Sequence, residues 1–149
     1  MSRQSLAPRD LGLAVAEVLE GAAFLCADTV DGRQVSHGDI AAEISFSGPR
    51  CGTLRIATSP VFAAVIASNV LGEDSDDPDE KATGTEALHE ILNMIVGDWV
   101  ARAFGSDSVY TLGLPVEIGP RDPLPGELSV SLMADDGSVV SVCAHIDDP

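Results

Sequence analysis

Between residues 85 and 104 apolar side chains recur every three or four positions, at Leu88, Leu92, Ile95 and Trp99, which predicts a long helix with one buried face that Gly105 closes. The same spacing over residues 10–26, with Asp10 placed to cap it, predicts an opening helix. "SPVFAAVIASNVLG" supplies a serine cap, Pro60 at the first helical position and Gly72 as a stop, and is so apolar that its short helix must be buried on most sides. Alternation with period two predicts strands near residues 40–47 and 51–58, joined at "SGPR", with a short, weaker strand before them. Three further strands follow in "YTLGLPVEIG", "GELSVSLMA" and "SVVSVCAHI", the last two turning at "DDGS", where Asp136-Gly137 favours a type I′ hairpin. Residues 73–83, rich in acid and interrupted by Pro78, read as a solvated mobile loop. Helix, strands, helix, helix, strands defines an α+β fold, an antiparallel or mixed sheet with helices on one face, in one domain over residues 1–149. "SVVSVCAHI", placed at a sheet edge, would be prone to pair with another chain.

The polar side of the long helix is less ordinary. At 100° per residue, Glu86, Glu90, Asn93 and Gly97 fall within about 60° of one another, opposite the apolar face. Glutamates four residues apart repel by roughly 0.2–0.5 kcal/mol, and a mid-helix glycine costs about 1 kcal/mol relative to alanine. Helix stability therefore did not select this stripe. An exposed carboxylate can pair with a cation on a partner, and an amide one turn further on can hold a water through both donor and acceptor. Placing a water for in-line attack suits phosphoryl transfer, where positioning and electrostatics supply most of the catalysis. The same surface would also serve a non-catalytic binding or scaffolding module. A faint echo lies earlier in the chain: "AEVLEGAAFL" laid over "HEILNMIVGDW" aligns Glu17 with Glu90 and Glu20 with Asn93.

Composition narrows the partners. Eight basic against 24 acidic residues give a net charge of −16, which argues against nucleic acid and favours a protein carrying a cationic patch. Cys26, Cys51 and Cys143 are odd in number and lack metal-type spacing, so they read as buried thiols of a reducing cytoplasm. The start of the chain lacks a signal peptide's apolar run, and no stretch approaches the roughly 18 apolar residues of a membrane span. His37, His89 and His145 have no ligand spacing, Glu86-x-x-His89 lacks the second pair a di-iron site needs, and "DSDDPDE" lacks the glycine of an EF-hand loop. Trp99 reads as core, whereas Phe104 lies nearer the polar stripe and is a candidate for an interface.

The order of these pieces, "ISFSGPRCGTLRIATSPVFAAVIASNVLG", an acidic loop, "EALHEILNMIVGDW" and "TLGLPVEIG", resembles the CheX-like branch of the CheC, CheX and FliY chemotaxis phosphatase family over roughly residues 10–146. In that family a helix bearing E-x-x-N inserts beside the phosphorylated aspartate of a CheY-type response regulator. The resemblance implies that Glu90 docks against the regulator's lysine and that Asn93 orients the hydrolytic water. Gly97 would leave clearance, and Glu86 would stand in the partner-binding surface. It implies no cofactor of the chain's own, Mg²⁺ coming from the phosphorylated regulator, and for CheX itself a homodimer and a mixed sheet. Two departures stand out: Glu86 occupies a place commonly held by Asp or Ser, and Pro115 follows Asn93 by 22 residues where about 23 is common. Glu20, lacking an amide, implies that the first helix holds no second active site.

Overall fold

The computed structural model describes residues 8–30, 38–71, 80–105, 107, 109–123 and 127–147. Helix α1 (Pro8–Ala23) buries Leu11, Ala14, Val15, Val18 and Leu19, a repeat of three and four that gives it one apolar stripe. It starts two residues earlier than expected, so Asp10 sits in the first turn, where a carboxylate complements the helix dipole. It also stops three residues earlier: Phe24 takes a left-handed φ of 57°, Leu25 N–H donates to the Leu19 carbonyl at 3.0 Å, and the Asn69 amide donates to the Ala23 carbonyl at 2.8 Å.

Strand β1 (Ala27–Val30) is the short strand expected before the first hairpin, β2 (Ile40–Ser47) and β3 (Gly52–Thr58). Helix α2 (Pro60–Leu71) is capped as its sequence demands, Ser59 Oγ accepting from Phe62 N–H at 3.1 Å. Helix α3 (Glu80–Phe104) begins five residues before the expected start, absorbing the end of the acidic stretch, and Gly105 closes it with a φ of 96°. The rest of the acidic stretch, residues 73–79, lies outside the described residues, as do Gly72, the expected stop of α2, and His37.

The expected strand in "YTLGLPVEIG" is two short ones, β4 (Thr111–Leu112) and β5 (Val116–Ile118), both paired with β2. Between them the register slips by one residue, from Phe46 opposite Leu112 to Ala41 opposite Ile118, a bulge at the point where Pro115 has no N–H to give. Strands β6 (Leu128–Ala134) and β7 (Val139–Ile146) form the last hairpin. Its turn is not type I′: Asp136 keeps a negative φ and only Gly137, at 89°, is left-handed. Gly137 N–H donates to the Ala134 carbonyl at 2.9 Å and Ala134 N–H to the Ser138 carbonyl at 2.8 Å, a three-residue loop with a glycine bulge.

The seven strands form one sheet in the order β1-β6-β7-β3-β2-β4, with β5 beside β4 on β2, and every pairing is antiparallel. The sheet is therefore not mixed, and β7, considered a candidate edge, is an inner strand between β6 and β3. The order explains the internal echo. Each half is a helix, a short strand and a hairpin; the short strand of each half pairs with the hairpin of the other, and the hairpins meet at β3 and β7. Helix α2 is extra.

All three helices cover one face of the sheet. Ala42, Ile44, Phe46, Leu54, Ile56, Leu132, Val140, Val142 and Ala144 point toward them and, with their buried residues, form the core. Trp99, fully buried, meets Phe46 and Phe104 edge-on at 5.7 and 5.5 Å between centroids. On the opposite face Glu43, Arg55, Cys143 and Ser129 lie abreast on four neighbouring strands. In the connection from β5 to β6, Arg121 and Pro123 lie over that face beside Arg55, Ser129 and Cys143. Glu127, at the end of that connection, takes Arg55 Nη2 at 2.6 Å, while Arg55 also reaches Cys143 Sγ at 3.1 Å and Glu43 at 3.7 Å. Burial, the largest single influence, works against the Arg55 charge, but the bond to Glu127 and the charge and hydrogen-bond interactions with Glu127 and Cys143 together outweigh it and leave the guanidinium pKa above its ordinary value.

The cysteines correct the expectation of buried thiols. Cys143 is buried, and burial pushes its thiol up against the pull of Arg55. Cys26 and Cys51 are exposed, the first because α1 ends before reaching it, the second because it lies in the turn between β2 and β3.

Candidate functional site

The roll of α3 about its axis is fixed from inside. Leu88, Ile91, Leu92, Ile95, Val96 and Trp99 have no accessible surface, so the opposite arc of the helix must face out. That arc carries Glu86, Glu90, Met94, Gly97 and Ala101, all exposed, with Asn93 half-buried at its margin. The four residues singled out on the helical wheel thus share one surface, Asn93 less open than the others.

Three properties make this surface suited to contact. A Cβ built on Gly97 would meet nothing within 4 Å, so the backbone there is bare. Among the described residues none bonds to the side chains of Glu90 or Asn93, so the carboxylate and the amide keep their capacity for an outside partner. Beside the arc, the exposed pair Arg102 and Glu17 ties α3 to α1, and Arg102 Nε also donates to Asp98 at 2.6 Å. Burial pushes the Asp98 carboxyl pKa up.

Two residues at the surface were not picked out from the sequence. Met94, 40% exposed, fills the arc between Glu90 and Ala101; the helical wheel places it 40° from Glu90 and would have included it had apolar residues not been assigned inward. Arg50 lies in the turn between β2 and β3, with its Cζ 5.6 Å from the centre of the Phe104 ring at the end of α3. Nothing in local sequence brings those two together. Phe104 itself is half-buried, packed on Trp99 and stacked on Tyr110 at 5.9 Å, with the ring planes 27° apart. Among the described residues no three His, Cys, Asp or Glu side chains gather as metal ligands, and no helix is long and apolar enough to cross a membrane.

A helix buried on one face and presenting a bare, partly acidic arc above an antiparallel sheet offers an open surface and not a small-molecule cleft. The profile described as chemotaxis phosphatase CheX matches residues 40–134, and the chain belongs to that family. No curated protein sequence matches it. A chain of the CheX-CheY-BeF3-Mg²⁺ complex from Borrelia burgdorferi is similar to it with a TM-score of 0.77 at 19% identity, over 98% of this chain and 100% of that one. The chemotaxis protein CheX from Desulfovibrio desulfuricans gives 0.72 at 17% identity, over 93% and 97%. CheX from Vibrio vulnificus gives 0.71 at 18% identity, over 97% and 100%. These likenesses establish a shared fold across nearly the whole chain.

Proposed function

We propose that this protein is a phosphatase acting on the aspartyl phosphate of a CheY-type receiver domain. The observation that carries the reading is the outward arc of α3, where Glu90 is exposed, Asn93 stands at its edge and Gly97 is bare, on a helix whose roll is locked by the core. Glu90 docks against a cation of the receiver, and the Asn93 amide oxygen accepts a hydrogen from a water aligned with the phosphorus. The water oxygen forms the new bond to phosphorus as the bond to the aspartate oxygen breaks, releasing inorganic phosphate and the free carboxylate. Mg²⁺ belongs to the receiver, which holds it beside the phosphoryl group. Membership of the family and the fold shared with the Borrelia complex support this reading. Glu86 and Gly97 shape the contact without touching the reacting atoms. The place of action is the cytoplasm, where receivers are found. A homodimer of this chain would pair through the β1 or the β4–β5 edge, since β7 is interior.

The test follows the decay of a phosphorylated CheY-type receiver from the same cell, with Mg²⁺, alone and with catalytic amounts of this protein. Wild type should turn over many receivers. Asn93→Ala should lose about 100-fold or more, because a misplaced water forfeits most of the positioning advantage, yet still bind. Binding without turnover by wild type would make the arc a recognition surface of a scaffold instead.

A further inference from the structure

The docking arc does not end at Gly97. Phe104 lies 18 residues after Glu86, five full turns of helix, so its Cα returns to the direction of the stripe at the C-terminal end of α3. There the surface gains a cation, the Arg50 guanidinium seated over the Phe104 ring.

This cation is unusual for the chain. In a sequence with three acidic residues for each basic one, Arg55 is committed to Glu127 and Arg102 to Glu17 and Asp98. Arg50 has no carboxylate partner among the described residues and rests on an aromatic face instead. Arg9 and Arg121 belong elsewhere, at the start of α1 and on the far face of the sheet. A guanidinium stacked on a ring keeps its edge N–H groups free, and those groups match a carboxylate in a two-point contact.

Arg50 is also held in place. Its ring platform is braced by Trp99 and Tyr110. The turn that carries it is pressed against the segment entering β4, where a Cβ on Gly48 would stand 2.7 Å from the Val109 carbonyl oxygen and 2.9 Å from the Tyr110 ring. Little side-chain freedom remains to be lost on binding.

We propose that Arg50 is a second anchor of the docking surface, binding a carboxylate on the receiver at a point about 16 Å along α3 from Asn93, the rise of eleven helical residues. The inference rests on the receiver-phosphatase reading and adds to it a specificity determinant remote from the chemistry. With Glu90 seeking a cation at one end and Arg50 an anion at the other, the surface carries a polarity that fixes the direction in which a receiver lies along the helix. It also supplies local attraction where a net charge of −16 would repel an acidic partner.

The experiment measures kcat and KM for a phosphorylated CheY-type receiver with wild type, Arg50→Ala, Arg50→Lys and Arg50→Glu, using Asn93→Ala as the chemical reference and thermal unfolding as the check on folding. Arg50→Ala should raise KM about fivefold, the size of one exposed ion pair, with kcat held within about twofold. Arg50→Glu should raise it further and reverse the salt response of this contact, KM falling as salt screens the new repulsion, and Arg50→Lys should fall between wild type and Arg50→Ala. Reversing the matching receiver carboxylate to lysine should recover binding by Arg50→Glu. If wild type turns over and Asn93→Ala does not, but Arg50→Glu keeps the wild-type KM and salt dependence, the anchor is refuted and the phosphatase reading stands. If wild type has no turnover on any receiver, the reading beneath falls and the anchor with it.

Discussion

Replacing Gly97 by alanine tests the proposed docking surface against the fold that displays it. Gly97 is the eighteenth of 25 residues in α3, far from either end, so its backbone carries the full penalty of a mid-helix glycine. Alanine removes that penalty, a gain of about 0.5–1 kcal/mol. No steric cost opposes it, because the new Cβ meets nothing within 4 Å. For a chain of this size the melting temperature should rise by about 2–4 °C per kcal/mol. Gly84 on the same helix is an internal control: its Cβ would lie 3.1 Å from the Ala63 Cβ of α2, so the same change there must push two helices apart and should give no such gain. Function should move the other way. A receiver seated on the bare backbone at Gly97 would be lifted by the methyl group, raising KM about tenfold for each 1.4 kcal/mol by which docking is weakened. Calorimetry beside the receiver-decay assay reads both effects. Stabilisation with unchanged KM would remove Gly97 from the interface; destabilisation would show that α3 is rolled differently, with position 97 turned toward its neighbours.

Four other outcomes follow from the structure. Glu127→Ala should destabilise by about 3 kcal/mol in urea titrations, because it leaves Arg55, whose side chain is 7% exposed, with only the longer contact to Glu43 and the thiol of Cys143 on the far face of the sheet; a loss below about 1 kcal/mol would mean the pair is effectively solvated. Gly52→Ala places a Cβ 2.1 Å from the His145 carbonyl oxygen in the neighbouring strand, and should cost about 3 kcal/mol or prevent folding, seen as loss of the cooperative unfolding transition. A thiol reagent at mildly alkaline pH should titrate Cys26 and Cys51 at once and Cys143 only on unfolding; three fast thiols would contradict the burial. Because burial raises the Cys143 pKa, the stability it contributes is present below the ordinary thiol value and is lost as pH rises through the folded one. The alkaline fall in the urea midpoint should therefore be shallower in Cys143→Ala.

What the sequence disclosed was whatever depends on period. The inward face of α3 and its outward arc follow from 100° steps, and the core confirms Leu88, Leu92, Ile95 and Trp99 as fully buried. The hairpins follow from alternation, and the cap of α2 from Ser59 and Pro60. What stayed hidden depends on partners distant in the chain. "EKATG" has no apolar period and reads as loop, yet it is helical with Gly84 packed closely on Ala63. Arg55 occupies an outward place in an alternating strand, and its burial comes with Glu127, 72 residues away. "SVVSVCAHI" alternates as an edge strand would, but pairing order is not written in alternation. The seat of Arg50 on Phe104 joins a turn to a helix end across 54 positions, with no local signature.

The two halves share a plan, so the confinement of the proposed site to one of them needs a physical cause, and the offset that lays Glu17 on Glu90 supplies it. Under that offset Ala14, Val15, Val18 and Leu19 fall on Ala87, Leu88, Ile91 and Leu92, all eight buried, so both helices are rolled onto the sheet in the same way. The outward positions are what differ. Glu17 is bound by Arg102 from the other helix, whereas no described residue holds Glu90. Glu20 brings a carboxylate where Asn93 brings an amide, and so lacks the amide's N–H donors. Gly97 maps onto Phe24, 78% exposed and left-handed at the end of α1, a bulky ring where the other half is bare. Approach to α1 is thus opposed by an occupied carboxylate, a misfit in hydrogen bonding and a steric block together. Changing Glu20 alone cannot create a second site. Arg102 has a double effect: by holding Glu17 it keeps α1 out of contention, and by the same bond it braces the side of α3 next to the proposed docking arc.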